Sequence, residues 1–521
     1  MSRPSRSTVV AATLAATAAL ALPLSTAAVA GPATGTATGT ATGAARLQQR
    51  VTVDGVMRHL EELQAIADAN DGIRPAGTAG FDESSDYVAA QLRSAGYDVT
   101  QQQFTFDFFD ETADPVLEQT APDATTYVAG TDFATMTFSG SGDVTAPITN
   151  VDLALAPPRD STSGCEARDF AGFPAGNVAL VQRGTCTFSD KASNAEAAGA
   201  SAVVIFNQGN ADPTDDRLGL VLGTLGQPGV GIPVVGATFA LGEDLAAPVA
   251  TEAHVLTQTL SEPRTTTNVL AETPGGDPSN VVMLGAHLDS VTEGPGIDDN
   301  GSGSAAILGV ARQMAGVEPV NKVRFAWWSA EELGLVGSTE YVDSLTRRQV
   351  NRIALYLNFD MIASANYIRG VYDGDGSSFG QAGPAGSDAI EAQFNDFFAD
   401  RGLSFQGTAF DGRSDYQAFI DNGIPSGGLF TGADEVKTRA EVARYGGVAG
   451  EMLDPCYHQA CDSMSPVADG AERAVYRELR RENGLQGNIS TDVLDVNADA
   501  IARAVMTYAF DTSSVTGANG S

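Results

Sequence analysis

The sequence is poor in basic residues, cysteine, histidine and tryptophan. It has 30 lysines and arginines against 65 aspartates and glutamates, so its formal net charge at pH 7 is −35. This charge makes nucleic acid and an anionic membrane surface unfavourable partners. After residue 30 there is no run of about 18 apolar residues, the length that a membrane-spanning helix needs. These absences argue against a nucleic-acid-binding protein and predict a mature chain without a membrane anchor.

The first 30 residues have the pattern of a secretory signal. Arg3 and Arg6 precede an apolar segment from Val9 to Leu24, and an Ala-Val-Ala cleavage site follows. Residues 31–50 open as a Gly/Ala/Thr tract without large apolar side chains, so we expect a linker or a trimmed propeptide there. We therefore expect a secreted, extracellular protein.

The four cysteines form two local pairs in the sequence. Cys165 lies near Cys186, and Cys456 lies near Cys461. In an oxidising compartment both pairs can close as disulfides. Free buried thiols are the alternative, and export disfavours them. No cysteine has the surroundings of a nucleophile, and the sequence contains neither a Gly-x-Ser-x-Gly elbow nor a P-loop.

The hydrophobic pattern divides the chain into an interrupted α/β domain and an insert. Apolar residues recur at helical spacing from residue 51, and a second helix over 84–94 and a strand over 97–106 follow. Residues 118–266 contain short segments broken by Gly, Pro, Asp and Thr. We therefore expect a mixed, mostly parallel sheet between helices, interrupted by a β-rich insert. The predicted units are an α/β domain over 51–117 and 267–512, the insert over 118–266, and a polar tail over 513–521.

Three apolar, strand-like segments each end on residues that can bind a metal ion. Val281–Asp289 ends in His287-Leu-Asp289, Val323–Glu332 ends in two glutamates, and Ile353–Asp360 ends in aspartate. In an open α/β sheet, ligands bind beyond the carboxyl ends of the strands. If these three ends converge, they surround one point with an imidazole and several carboxylates. Such a pattern indicates a metal-centred hydrolase.

Adjacent acidic pairs extend this candidate site. Glu331 and Glu332 follow a buried strand, where two like charges are costly unless a positive group neutralises them. One of them can bind metal while the other faces the substrate as a base, and a solvated helix N-terminus is the alternative. Asp298 and Asp299 lie in a glycine-rich loop that can fold a carboxylate over the site. A turn that caps the following helix is the alternative.

Two of the four histidines lie in settings that suit metal binding. His287 and Asp289 are two residues apart on a strand and share a face, so Asp289 can orient the imidazole. His458 lies between Cys456 and Cys461, where a disulfide would make a rigid loop. Together with the carboxylates, these histidines form a mixed nitrogen and oxygen set suited to zinc. Five such ligands with one bridging carboxylate can hold two metals roughly 3.5–4 Å apart.

The insert resembles the protease-associated domain. The resemblance rests on Val-Gln-Arg-Gly-Thr-Cys-Thr-Phe over 181–188 and on the Ala-rich helix and apolar strand that follow over 191–207. Such domains are inserted into exopeptidases, where they flank the active-site cleft. The resemblance implies that no catalytic residue needs to come from the insert.

The flanking segments resemble the secreted dizinc aminopeptidases of the co-catalytic zinc exopeptidase family, of the bacterial leucyl aminopeptidase type. Five motifs in the family's order carry the resemblance, and they are Gly285–Ser290, Gly296–Gly303, Ser329–Ser338, Leu357–Met361 and Cys456–His458. The resemblance implies the zinc-peptidase fold and two zinc ions. His287 and Asp360 would bind one zinc, Glu332 and His458 the other, and Asp299 would bridge them.

The same resemblance implies roles for residues around the two metals. Glu331 would be the general base that takes a proton from the attacking water, and Tyr457 would stabilise the oxyanion. Asp289 would not bind metal itself but would orient the imidazole of His287, and Arg413 would position substrate. The family usually has Asn where this chain has Asp298, which we expect to add negative charge near the metals.

The predicted activity is that of an extracellular zinc metalloaminopeptidase. It would act as a monomer on peptide or protein N-termini, with a preference for large apolar, leucine-type residues. A carboxypeptidase or dipeptidase of the same fold is one alternative, but it would need a cationic patch that the motifs lack. A receptor-like binding protein with an inactive site is another, but this chain retains every ligand position. A calcium ion at Asp492, Asp495 and Asp499 is also left open.

Overall fold

The computed structural model describes residues 43–210, 217–246, 251–465, 472–482 and 484–517. The predicted signal over residues 1–30 lies outside the described residues. Within them, no helix combines the length and the apolar character needed to cross a bilayer.

Helices and strands alternate along most of the described chain. The helices are α1 (43–50), α2 (Val53–Ala69), α3 (Ala79–Ser94), α4 (Phe188–Ala197), α5 (Phe239–Ala246), α6 (Gly303–Met314), α7 (Val336–Ser344), α8 (Arg347–Val350), α9 (Ser387–Asp400), α10 (Gln417–Asp421), α11 (Arg439–Tyr445), α12 (Glu472–Glu482), α13 (Thr491–Phe510) and α14 (Ser513–Thr516). A short 3₁₀ turn spans Ala167–Phe170, and an irregular helical turn spans Ile297–Ser302.

The strands that belong to the main sheet occur in both parts of the chain. They are β1 (Asp98–Ala121), β2 (Thr125–Thr126), β3 (Phe133–Thr135), β4 (Gly142–Asn150), β5 (Val178–Gln182), β6 (Ala202–Phe206), β7 (Val234–Ala237), β8 (Glu252–Glu272), β9 (Asp277–His287), β10 (Asn321–Trp328), β11 (Ile353–Phe359), β12 (Gly370–Tyr372), β13 (Gln406–Thr408) and β14 (Ser426–Phe430). A separate hairpin is formed by β15 (Leu485–Gln486) and β16 (Ile489–Ser490).

One 14-stranded sheet runs through both parts of the protein in the order β13-β12-β14-β11-β9-β10-β8-β4-β5-β6-β7-β3, with β1 and β2 beside β8. Its central strands β10, β9, β11 and β14 are parallel. Strands β4, β5, β6 and β7 form a second parallel group. Helices cover the sheet and bury its apolar side chains, so the predicted α/β class with a mostly parallel sheet is confirmed.

The long antiparallel ladder of β1 and β8 joins the two parts. It pairs Asp98 with Glu272 at one end and Ala121 with Glu252 at the other. The sequence predicts a boundary near residues 117 and 266, and the strands cross both positions without ending. The prediction of short, broken strands in the insert is therefore wrong for β1 and β8. The ladder continues through three register irregularities, because pairing satisfies the backbone groups even where the side chains are polar.

Two predicted unstructured segments differ in the structure. Residues 43–50 form α1 rather than a linker, because Leu47 is an apolar residue that packs into the main core. Residues 513–516 form α14, and Val515 is buried in the same core rather than exposed in a polar tail. In each case one apolar side chain gives a polar segment something to bury, which orders it.

Parallel pairing in the central sheet determines where the candidate site lies. Trp328 pairs with His287, so β9 and β10 end at the same level. Strand β11 lies on the other side of β9, and Asn358 pairs with Gly285 there. The loops that follow these strands therefore open on one edge of the sheet, and all three predicted segments bring their last residues to that edge.

Candidate metal centre and active site

Imidazole and carboxylate groups converge beyond the ends of β9, β10 and β11. His287 is the last residue of β9, and its Nε2 atom lies 3.1 Å from Asp299 Oδ1 and 3.3 Å from Asp360 Oδ1. His458 Nε2 lies 3.1 Å from Glu332 Oε2 and 3.3 Å from Asp299 Oδ2. A continuous series of contacts thus connects all five predicted metal ligands, although they come from five separate segments of the chain.

The distances between these atoms fit the coordination of zinc. Zinc bonds to nitrogen and oxygen of about 2.0–2.1 Å place neighbouring ligands of a tetrahedron about 3.3 Å apart. The four nitrogen-to-oxygen distances of the cluster run from 3.1 to 3.3 Å. Moreover, the two oxygens of Asp299 face different histidines, which is the arrangement of a carboxylate that bridges two ions.

Buried oxygens without hydrogen-bond partners provide a second test of the fit. Asp360 Oδ1 and Glu332 Oε1 have no partner, although both are inaccessible to solvent. An unsatisfied buried carboxylate oxygen is costly unless a cation binds it. The cluster contains two sets of three residues, and within each set the potential ligand atoms all lie within 4.8 Å of one another. One set is His287, Asp299 and Glu332, and the other is His287, Glu331 and Asp360. The residues present therefore fit a metal centre.

The pKa shifts of the cluster also favour the binding of a cation. Burial raises the pKa of Glu332 to about 7, with Asp299 adding to the effect and His458 opposing it. Burial likewise raises the pKa of Glu331 well above its usual range. Burial alone would lower the pKa of His458, but Glu332 and Asp299 raise it to about 11. A divalent cation would replace these protons and relieve the repulsion between the carboxylates.

Asp289 supports the ends of two strands rather than only one imidazole. Its Oδ1 atom lies 3.7 Å from His287 Nδ1, and its backbone oxygen lies closer to that nitrogen, at 3.1 Å. Its carboxylate also accepts hydrogen bonds from the backbone N–H groups of Glu331 (3.2 Å) and Glu332 (3.4 Å). Asp289 therefore positions three neighbouring groups of the cluster at once.

Tyr457 and Arg413 lie on the solvent side of the cluster. The ring of Tyr457 stacks on His458 with 3.8 Å between the ring centres. Arg413 donates a hydrogen bond to the Tyr457 hydroxyl (3.3 Å) and pairs with Asp434 (2.8 Å). Both residues line a small cavity of about 50 Å³ that also contains Glu331, so they can reach a substrate bound there.

Both pairs of cysteines are joined in the structure. The bond between Cys456 and Cys461 closes the loop that carries Tyr457 and His458. His458 has a φ of 54°, a left-handed backbone conformation that a closed loop helps to maintain. The bond between Cys165 and Cys186 lies in the insert. The remaining histidines lie elsewhere, with His59 against Tyr87 and His254 against Asp143.

Asp298, which we expect from the sequence to add negative charge near the metals, is buried next to Asp299. Its Oδ1 atom accepts a hydrogen bond from the backbone of Ala363, and its side chain is fully buried. Burial, with Asp454 and Asp462 nearby, raises its pKa well above the usual range. These surroundings favour the neutral form of the carboxyl group, and the additional negative charge expected from the sequence stays a prediction.

Several residues that hold the site were not found from the sequence. The Asp462 carboxylate accepts hydrogen bonds from the backbone N–H groups of Asp298 (2.8 Å) and Asp299 (3.0 Å). Ser414 donates to Asp360 Oδ2 at 2.6 Å, which leaves Oδ1 for the cluster. Arg74 is fully buried and donates to the carbonyls of Leu288, Pro295 and Gly296.

These supporting residues had weak signals in the sequence. Asp462 follows a cysteine, and Ser414 follows Arg413, which the resemblance implicates in positioning substrate, but nothing in the sequence marked Arg74. For the predicted calcium segment, Asp499 Oδ2 accepts a hydrogen bond from Arg401 (3.1 Å), and calcium there stays a prediction.

Comparisons with known proteins agree with this geometry. The model of peptidase family M28 matches residues 268–481, and the model of the PA domain matches residues 144–245. An aminopeptidase of Pseudomonas aeruginosa is 48% identical over 457 residues, which cover 88% of this chain and 81% of that protein. Leucine aminopeptidase 2 of Trichophyton tonsurans is 41% identical over 432 residues, which cover 82% of each chain.

Solved structures are similar as well. The aminopeptidase from Aneurinibacillus sp. strain AM-1 has a TM-score of 0.64 and 25% identity, and the match covers 89% of this chain and 95% of that one. BSAP, a zinc aminopeptidase from Bacillus subtilis, has a TM-score of 0.55 and 26% identity, with 87% and 94% covered. The chain belongs to peptidase family M28 and carries a PA domain as an insert. It is a zinc aminopeptidase, as the sequence predicts.

Proposed function

We propose that this protein is a secreted two-zinc aminopeptidase that removes large apolar, leucine-type residues from peptide N-termini. The observation that carries the proposal is the position of Asp299. Its Oδ1 atom lies 3.1 Å from His287 Nε2, and its Oδ2 atom lies 3.3 Å from His458 Nε2. His287 and Asp360 would hold one zinc, Glu332 and His458 the other, and the Asp299 carboxylate would bridge them. Bound zinc supplies Lewis acidity, which polarises the scissile carbonyl and lowers the pKa of water.

The residues beside the ligands suit the proton transfers of peptide hydrolysis. Glu331 Oε2 lies 4.0 Å from His287 Nε2 and faces the small cavity, so it can take a proton from a water there and deliver it to the leaving amine. The Tyr457 hydroxyl accepts a hydrogen bond from Arg413, which leaves its own proton free to stabilise the oxyanion.

The lining of the small cavity supports specificity for an apolar N-terminal residue. Met361, Tyr372, Phe430 and Ala433 form an apolar wall that suits a leucine-type side chain. The acidic groups among its lining residues are Asp299, Glu331, Glu332, Asp360, Asp411 and Glu435. These carboxylates favour a free α-ammonium group, which only the first residue of a peptide carries. The two disulfides support secretion, because such bonds persist in oxidising compartments.

The charge of the cavity argues against a carboxypeptidase. Such an enzyme must bind the C-terminal carboxylate of its substrate with a cation. Arg413 is the one lysine or arginine among the described residues that line the small cavity, and its guanidinium pairs with Asp434 at 2.8 Å. The acidic surroundings therefore favour recognition of the amino end.

Hydrolysis of leucyl 4-nitroanilide and acetyl-leucyl 4-nitroanilide by the purified protein tests the proposal. We expect release of nitroaniline from the free substrate only, because acetylation removes the ammonium charge. Glycyl and glutamyl 4-nitroanilides test the apolar preference, and both should be cleaved more slowly than the leucyl compound. Equal hydrolysis of the acetylated substrate would contradict the aminopeptidase proposal.

A further inference from the structure

A second, larger cavity begins at the metal centre and extends away from the small one. Its volume is about 610 Å³, against about 50 Å³ for the small cavity. Glu332 lines both cavities, and His458 also lines the larger one. We call it the junction cavity, because its walls come from both parts of the chain. Its other lining residues are Pro75, Ala76, Phe108, Phe109, Thr137, Phe138, Thr224, Gly226, Asp289, Ser290, Val291, Thr292, Glu293, Leu333 and Gly334.

The sizes of the two cavities match the two sides of a bond cleaved by an exopeptidase. An aminopeptidase removes one residue, so the cavity that binds this residue must be too short to admit a second one. The other side must admit a chain of any length. Since the two cavities share Glu332, a peptide bond at the metal centre would have its N-terminal residue in the small cavity. The rest of the peptide would then lie in the junction cavity.

One wall of the junction cavity is apolar. Phe109, on β1, packs edge to face against Phe138, with 5.7 Å between their ring centres. Phe108 is buried beneath the guanidinium of Arg264, and Leu333 lies at the catalytic side of the cavity. Phe109 and Leu333 remain partly exposed, so they offer apolar surface to a bound side chain.

The polar part of the cavity is acidic. Its acidic lining residue outside the metal cluster and exposed to solvent is Glu293, since Asp289 is buried and Glu332 belongs with His458 to the cluster. None of its lining residues is a lysine or an arginine. The arginines nearby already have partners within the protein. Arg264 pairs with Glu262 and stacks on Phe108, and Arg74 donates hydrogen bonds to backbone carbonyls. Glu293 is exposed at the edge of the cavity, so its charge faces any side chain that enters.

We propose that the junction cavity binds the residues that follow the scissile bond and selects among them. Apolar and basic residues are favoured there, and acidic residues are disfavoured. A dipeptide is a poorer substrate than its amide, because its terminal carboxylate meets the same negative charge. This inference rests on the proposed aminopeptidase function and assigns the leaving side of that same site.

The test compares kcat/KM for leucinamide with that for three amidated tripeptides. These are leucyl-phenylalanyl-alaninamide, leucyl-lysyl-alaninamide and leucyl-aspartyl-alaninamide. With the wild-type protein, we expect the phenylalanyl and lysyl peptides to exceed the aspartyl peptide by about tenfold or more, the effect of one unfavourable charge contact at partial exposure.

Two variants locate the selection in the junction cavity. Glu293→Lys should raise the ratio of kcat/KM for the aspartyl over the lysyl peptide by about tenfold. Glu318→Lys makes the same change of charge at an exposed position that does not line the cavity, and should leave that ratio unchanged. Phe109→Ala should lower the ratio for the phenylalanyl peptide over leucinamide by about fivefold to tenfold, because apolar contact is lost.

The outcomes separate this inference from the proposed function. If the wild-type protein released no leucine from leucinamide or any peptide, the aminopeptidase proposal would fall and the inference with it. If it released leucine but Glu293→Lys and Glu318→Lys changed the ratio equally, the junction cavity would not be the leaving side. Because Glu293 is exposed, folding of that variant does not depend on its side chain, and the comparison holds even if Phe109→Ala misfolds.

Discussion

Glu331 and Glu332 are consecutive residues with different surroundings. Ala330 has a φ of 57°, which turns the chain sharply after β10. As a result, Glu332 Oε2 lies 3.1 Å from His458 Nε2, while Glu331 Oε2 lies on the other side of the cluster, 4.0 Å from His287 Nε2. The Asp289 carboxylate accepts hydrogen bonds from both backbone N–H groups and fixes this divergence. Two adjacent carboxylates can therefore perform two tasks.

Glu331→Gln tests this division of roles. A general base contributes a factor of about 10²–10⁴ to the rate, so we expect kcat for leucyl 4-nitroanilide to fall by that factor. Zinc content, measured by elemental analysis, should stay at the wild-type level. Glu332→Gln is the matched control, and it should lose zinc as well as activity. A Glu331→Gln protein that keeps wild-type turnover would refute the role as base.

The sequence predicts the five candidate metal ligands, including the loop residues Asp299 and His458, but not the residues that support them from other parts of the chain. His287 ends β9, and Glu332 and Asp360 follow β10 and β11. The apolar runs of these strands are visible in the sequence, so parallel pairing predicts that the three residues converge. Arg74 precedes α3 and binds carbonyls more than 200 positions away, at separations of 214, 221 and 222 residues. No local pattern records such a contact.

Among the elements, the Cys456–Cys461 loop has the most direct effect on the site. It presents the ring of Tyr457 stacked on His458, beside Glu332 and Asp299. The loop has no regular secondary structure to hold it. The disulfide and a hydrogen bond from the Cys456 backbone N–H to Asp454 (2.8 Å) take over that task.

Removing each disulfide separately should affect stability and activity differently. The Cys456–Cys461 bond closes a short loop, so chain entropy predicts a loss of about 2 kcal/mol of unfolding free energy. The longer Cys165–Cys186 loop predicts a loss of about 3 kcal/mol. Nevertheless, replacing Cys456 and Cys461 by serine should weaken zinc binding about 10–100-fold, because the loop that holds the ligand His458 loses its support. The serine variant of the insert pair should keep its zinc affinity. Urea denaturation and zinc titration measure the two effects, and equal zinc affinities would contradict the account.

Helix α4 of the insert buries a lysine. Lys191 Nζ donates to the carbonyl of Ser163 at 2.5 Å, and no part of its side chain is exposed. Burial lowers its pKa from 10.5 to about 8, although Asp169 and Asp190 oppose the shift. The folded state therefore releases this proton more readily than the unfolded state does.

This shift predicts a pH dependence of stability. Between pH 8 and 10.5 the unfolded state binds more protons at this site, so the contribution of Lys191 to stability increases as pH rises through that range. Urea midpoints of the wild-type protein and Lys191→Met at pH 7.5 and pH 10 measure it. We expect the difference to shift in favour of the wild-type protein at pH 10. A difference that does not change with pH would show that burial does not lower the pKa of this lysine.

At the scale of the whole molecule, one sheet joins the insert to the catalytic part. The ladder of β1 and β8 continues from Asp98 to Ala121, so the insert is attached through paired strands rather than through a flexible linker. Sequence patterns locate the change in character near residue 118 but cannot show this ladder. The alternating residues Phe104, Phe106 and Phe108 indicate a strand, but no local pattern identifies a partner strand more than 130 residues away. This attachment places Phe138 and Thr224 of the insert among the residues that line the junction cavity.

The net charge of −35 and the buried carboxylates of the metal centre both lower the stability of the folded protein. Excess negative charge opposes the compact state unless cations offset it. Removal of zinc should therefore destabilise the protein as well as inactivate it. We propose that two zinc ions, held by His287, Asp299, Glu332, Asp360 and His458, provide this compensation and the activity.

Zinc titration of the metal-free protein tests that claim most directly. The apoenzyme is dialysed against buffered free zinc, and bound zinc per chain is measured by elemental analysis alongside hydrolysis of leucyl 4-nitroanilide. The account predicts that binding saturates at two zinc ions per chain and that full activity requires both. Saturation at one zinc per chain with full activity would contradict it.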